Sequence, residues 1–120
     1  MMKYINSDRH QKALEYALEY LNHSVFKQYI NNVILYGSCA RGEENYRSDV
    51  DLLIEFDERF LDVKKEMNRE FRMLNSEIGT NELHDPEVDV KIVFGNEWKT
   101  NKICFFDNIK SDGINVWKRQ

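Results

Sequence analysis

The stretch VILYGSCARGEENYRSDVDLLIEF, residues 33–56, decides how this chain is read. Val33-Ile34-Leu35-Tyr36 is short, apolar and β-branched at its start, so it predicts a buried strand that stops at Gly37. Gly37-Ser38 then reads as a turn. Glycine lets the backbone approach a ligand closely, N–H groups at a following helix start favour an anionic oxygen, and the Ser38 hydroxyl adds a donor for a phosphate. From Asp49 the sequence alternates, sending Val50, Leu52, Ile54 and Phe56 one way and Asp49, Asp51, Leu53 and Glu55 the other. One face is expected to pack and the other to carry carboxylates.

Asp49 and Asp51, at i and i+2 on a strand, project from the same face. Their charges repel by about 4 kcal/mol if about 4 Å apart at an effective dielectric near 20. A bound dication removes that repulsion. Magnesium takes a few carboxylate oxygens together with waters and substrate phosphates, so an aspartate pair beside a phosphate-binding turn suits a metal–triphosphate complex. Two-metal phosphoryl chemistry asks for a further carboxylate. Asp89 is the first candidate, because strand alternation puts it on a non-packed face, with Asp85 and Glu87 as fallbacks.

Outward from this motif, Leu14, Ala17, Leu18 and Leu21 recur at helical spacing and predict an amphipathic helix from about Asp8 to Asn22, with Ser7 or Asp8 as N-cap. Downstream, Phe60, Met67, Phe71, Leu74 and Ile78 predict one long helix from about Glu58 to Ile78, ended by Gly79 and covering one face of the sheet. A polar loop holding Pro86, the only proline, leads into an alternating strand from Val88 to Phe94. There Val88, Val90, Ile92 and Phe94 pack, while Asp89 and Lys91 share the opposite face. The pattern then predicts a helix from about Thr100 to Lys110 with Ile103, Phe106 and Ile109 on one side. Gly113 caps it before a short strand, Ile114 to Trp117.

The motif resembles the nucleotidyltransferase superfamily that includes DNA polymerase β, and most closely its minimal nucleotidyltransferase (MNT) branch. In that branch a Gly-Ser turn, ten intervening residues and Asp-x-Asp follow one another. Gly37-Ser38, the ten residues Cys39 to Ser48, and Asp49-Val50-Asp51 fit without a gap. The resemblance extends through a leading helix, a long helix, a third acidic strand and the ending FFDNIKSDGINVW. It implies an α/β (α+β) fold with a mixed sheet, helices packed mainly on one face and an acidic cleft on the other. It also implies Gly37, Ser38 and Arg41 on the nucleotide, Asp49 and Asp51 on Mg2+ (two ions being possible), and Asp89 as the third carboxylate and general base. The activity implied is transfer of a nucleoside monophosphate, AMP from ATP, to a hydroxyl with release of pyrophosphate (EC 2.7.7 type). Relatives of this size are often encoded beside a HEPN-family toxin and act as its antitoxin by modifying it, which makes such a toxin the expected protein partner. A small-molecule acceptor, as for the larger aminoglycoside enzymes, and a non-catalytic partner-binding antitoxin are the alternatives.

Composition bounds the same reading. The 120 residues, 42% hydrophobic, suit one domain over 1–120, and the net charge of -4 disfavours direct nucleic-acid binding as the main activity. A separate acceptor-holding domain is not expected in that length. Cys39 and Cys104 have no C-x-x-C spacing, which disfavours a zinc or disulfide framework. No apolar run approaches the roughly 20 residues that span a bilayer, and MMKYINSDRHQ has no signal-peptide core, so a soluble cytoplasmic protein is expected. Apolar surface around the last helix leaves oligomer formation open. Arg41 contacts the triphosphate or else pairs with Glu43 and Glu44; Arg47 and Ser48 line the cleft or simply keep a loop soluble; Lys91 pairs with Asp89. His10, His23 and His84 read as solvated or capping, and Tyr16, Phe71, Phe105 and Phe106 as core.

Overall fold

The computed structural model describes residues 1–119. Its first helix, α1, runs Asp8–Asn22, and the Ser7 side chain caps it by accepting the backbone N–H of His10. Four strands follow among the described residues: β1 Ile30–Tyr36, β2 Val50–Phe56, β3 Val88–Phe94 and β4 Ile114–Lys118. They form one sheet in the order β3-β2-β1-β4. β1 is antiparallel to both β2 and β4, whereas β2 and β3 run parallel, so the sheet is mixed as expected.

Alternation sorts the sheet into two faces. Val33, Leu35, Leu52, Ile54, Phe56 and Val90 pack into the main core against Leu14, Ala17, Leu18 and Leu21 of α1. Phe26, Phe56 and Phe60 meet there edge-on or tilted, with ring centroids 4.6–5.9 Å apart. The opposite face carries three rows across β1, β2 and β3: Tyr36, Asp51, Asp89; then Ile34, Leu53, Lys91; then Asn32, Glu55, Val93. Here the expectation of an open carboxylate face needs correction. Ile34, Leu53, Trp98 and Ile109 form a second, smaller core on it, under helix α5, Cys104–Asp112. In the first row Tyr36 packs against that core, whereas Asp51 and Asp89 lie outside it; Lys91 of the second row stays exposed.

Glu55 therefore does not face solvent; it is 3% exposed. Its carboxylate accepts Trp98 Nε1–H at 2.7 Å and Asn32 Nδ2–H at 2.8 Å, and Lys99 Nζ lies 3.8 Å away. A buried carboxylate persists when its oxygens find donors, and these bonds fasten the 3-10 turn Glu97–Lys99 to the sheet.

Two helices differ from the sequence reading. The long helix is broken into α3 (Phe60–Val63), a 3-10 turn (Lys64–Met67) and α4 (Asn68–Glu77). Val63 and Met67, at φ -113° and -111°, are the off-helix joints. Side-chain spacing survives such a break, since Phe60, Leu74 and Ile78 all still enter the core, so periodicity alone did not reveal it. The last helix starts at Cys104 and not near Thr100. The Asn101 side chain accepts the Ile103 N–H and holds Ile103 extended, at φ -62° and ψ 135°. Ile103 accordingly lies exposed. Gly113 follows the helix with ordinary extended dihedrals; a Cβ there would strike the Ile109 carbonyl, so close approach and not a left-handed cap calls for glycine.

Candidate active site

The strand β1 ends at Tyr36, and the chain turns at Gly37 with φ 76°, a left-handed conformation that favours glycine. Space demands glycine too, because a Cβ there would collide with Oδ2 of Asp51. The turn thus lies directly against the Asp51 carboxylate. Ser38 opens the single-turn helix α2, Ser38–Arg41, whose Ala40 and Arg41 N–H groups bond back to the Gly37 carbonyl. Gly42, at φ 72°, closes that turn.

Asp51 sits in β2 opposite Tyr36, and Asp89 is its register partner on parallel β3. Neighbouring strands are about 4.8 Å apart, so the two carboxylates are side by side on one face. Of the three candidates only Asp89 stands in register with Asp51; the Asp85 carboxylate accepts the Thr80 hydroxyl in the preceding loop, and Glu87 lies just before β3. Asp49 is exposed and lies one residue before β2, not within it.

Electrostatics bind these groups together. Burial, then the charges of Asp89 and Asp49, raise the Asp51 carboxyl from 3.8 to about 6. Burial together with Asp51 and Asp89 pushes the Tyr36 phenol upward. The sequence reading passed over Tyr36 as a site residue, although its place in the strand just before Gly37 was a usable signal. Asp89 is about 45% exposed on its side chain and has Lys91 Nζ at 3.7 Å, the pair expected from their alternation. Arg41 is exposed, held by Glu43 at 2.7 Å and by Asp112 at 3.7 Å, so pairing with an acidic neighbour is realised. Its guanidinium is pushed further towards the charged form, first by the Glu43 hydrogen bond and more weakly by charges that include Asp51.

Ser48 accepts Asn45 N–H through its hydroxyl, and with Arg47 and Asp49 it lines a small cavity next to Arg9 and His84. Several side residues differ from expectation. His10 is buried, and Tyr16, 48% exposed, is not core. Phe105 is also partly exposed and meets Tyr36 edge-on at 5.6 Å. Cys39 is buried, its thiol pushed up to about 12, chiefly by burial, and it stays protonated to donate to the Asp49 carbonyl at 3.3 Å.

The donor set suits a hard divalent cation: carboxylate oxygens that repel one another, with Asp51 raised to about 6 by burial and by that repulsion. Among the described residues no three His, Cys, Asp or Glu side chains are gathered as a ready cage. Magnesium does not need one, since it keeps several waters and takes oxygens from substrate phosphates beside one or two protein carboxylates.

Residues 19–120 match the family described as "Polymerase beta, Nucleotidyltransferase". The chain belongs to that nucleotidyltransferase family. A solved structure points the same way: a candidate nucleotidyltransferase from Sulfolobus solfataricus is 27% identical, with a TM-score of 0.57, over 92% of this chain and 82% of the other. No curated protein matches the chain by sequence. The nucleotidyltransferase family gives the Gly37-Ser38 turn and the carboxylate row a common context. Among the described residues no helix is long and apolar enough to cross a membrane.

Proposed function

We propose that this nucleotidyltransferase domain transfers AMP from ATP to a hydroxyl group in a reaction that depends on a divalent metal. The observation that carries the proposal is the in-register pair Asp51 and Asp89 set against the Gly37-Ser38 turn. Asp49 and Asp51 would hold the metal, and Gly37 and Ser38 the triphosphate. Magnesium bound there supplies positive charge against the triphosphate and the charge that develops during transfer. Asp89, partly exposed, accepts the proton of the acceptor hydroxyl as its oxygen forms a bond to the α-phosphorus. The bond from that phosphorus to the β-bridging oxygen breaks, and pyrophosphate leaves. Arg41 needs only to exchange exposed partners, Glu43 and Asp112, for a phosphate, a small cost for surface ion pairs.

The acceptor in this reading is a partner protein of the HEPN toxin type. Its support is the resemblance of residues 37–51 to the minimal branch, together with the Asp89 carboxylate, which stays about 45% exposed. The test incubates the full chain with ATP labelled at the α-phosphate, Mg2+ and the protein encoded next to it. Label on that neighbour, lost in Asp49→Asn and Asp51→Asn, supports the reading. Label on an aminoglycoside-type small molecule replaces the acceptor. Tight association without transfer, indifferent to both substitutions, sinks the catalytic mechanism.

A further inference from the structure

The first turn of α1 reaches the loops that lead into both acidic strands. His10 is 1% exposed, and its Nε2 lies 2.8 Å from the carbonyl oxygen of Ser48, the residue before Asp49. A carbonyl can only accept, so Nε2 carries the hydrogen. On the other side of the ring, Nδ1 is 2.7 Å from the Ser7 hydroxyl. Ser7 Oγ receives the His10 backbone N–H at 3.4 Å and turns its own hydrogen towards Nδ1. The helix cap and the ring thus fix one another, and the ring fixes a backbone carbonyl 38 residues away.

Arg9 adds a second arm. It donates to the Tyr46 carbonyl at 3.3 Å and to the His84 carbonyl, with its guanidinium 4.0 Å above the Tyr46 ring. Tyr46 belongs to the loop before β2 and His84 to the loop before β3; Val50 N–H to the Glu87 carbonyl, at 2.8 Å, ties the two together. Ser7, Arg9 and His10 all precede residue 19, where the match to the family begins. The clamp therefore comes from a segment outside the matched region.

We propose that His10 is a positioning residue for Asp49: it holds the Ser48 carbonyl so that the exposed Asp49 carboxylate is already placed for the divalent cation, with Arg9 assisting. Asp49 lies just beyond the end of β2, where the sheet no longer orients it, and a ligand carboxylate left mobile loses affinity to ordering costs. The inference rests on the proposal that Asp49 and Asp51 bind metal.

The test uses the full chain with Mn2+ as probe, followed by electron paramagnetic resonance, together with thermal unfolding and amide hydrogen exchange. His10→Gln keeps an N–H donor at a reach similar to Nε2, whereas His10→Phe keeps ring volume without a donor. H10F is expected to exchange faster over residues 43–49 and to bind Mn2+ about tenfold more weakly, with H10Q recovering most of the affinity. Rescue by glutamine separates positioning from space filling. Wild-type Mn2+ affinity in folded H10F, or H10Q no better than H10F, overturns the proposal. Arg9→Ala, at a partly exposed position, is expected to give a smaller loss of the same kind. If H10F does not fold, R9A decides: unchanged affinity and exchange overturn the proposal. If Asp49→Asn and Asp51→Asn leave wild-type Mn2+ binding unaltered, the metal reading fails and takes the clamp's purpose with it. Binding that those two substitutions abolish confines any failure to His10.

Discussion

Asp51 is where folding and chemistry conflict most directly. Its carboxyl is raised to about 6 by burial and by Asp89 and Asp49, against 3.8 without those influences. A raised folded value means that the proton stabilises the fold below about pH 4, and that this contribution is lost as pH rises through about 6. Asp51→Asn is therefore expected to be more stable than the wild type at about pH 7.5, by about 1 kcal/mol once solvent screening of a partly open site is allowed for. The gap should narrow as pH falls below about 6 and close below about pH 4, and urea denaturation across that range measures it. Under the metal proposal, Mg2+ raises the wild-type melting temperature above about pH 6 and leaves D51N unmoved. Equal Mg2+ shifts in both proteins would count against Asp51 as a ligand. The i and i+2 spacing of Asp49 and Asp51 drew attention to both in the sequence, but only Asp51 lies within β2, so the expected shared strand face is not realised. The neighbour that perturbs Asp51 most after burial, Asp89, lies 38 residues on and is brought there by pairing between strands.

Among the elements, the Gly37 turn and the Glu97–Lys99 turn carry separate risks. Gly37→Ala places a Cβ in a left-handed conformation and against the Asp51 carboxylate. It is expected to cost about 1–3 kcal/mol and to abolish the melting-temperature shift produced by Mg2+ and ATP, which differential scanning fluorimetry reads. Trp98→Phe acts elsewhere. It removes the N–H that Glu55 accepts on the covered face and is expected to cost about 2 kcal/mol in urea denaturation, while the Mg2+–ATP shift persists. A lost shift in W98F would mean that the 3-10 turn holds the site as well as the face. The Gly37 turn was legible because glycine after an apolar run is a local signal. The Trp98 anchor was not, since a tryptophan and a strand glutamate 43 residues apart show no relation until the chain folds.

For the whole molecule, the question is whether the two cores, one on each face of the sheet, unfold together. Phe60 lies fully buried in the main core, and Trp98 belongs to the smaller one opposite. Phe60→Ala is expected to cost about 3–5 kcal/mol. Because β1 and β2 contribute residues to both cores, tryptophan fluorescence and far-ultraviolet circular dichroism should report the same shifted transition. In Trp117→Phe, where Trp98 is the one remaining tryptophan, a fluorescence transition separate from the circular dichroism would show that α5 is an independent cover over the sheet.

The sequence by itself determined the strand–turn–strand motif, the two-faced alternation of β2 and β3, the capped first helix and the family resemblance. Each rests on residues close together along the chain, where spacing maps directly onto a face or a turn. Only the tertiary structure decided that Asp89 stands beside Asp51, that Glu55 is buried under Trp98, that the helix after β2 is broken, and that His10 meets the Ser48 carbonyl. Those features depend on which distant segments come into contact, and a periodic pattern remains the same whichever partner it packs against.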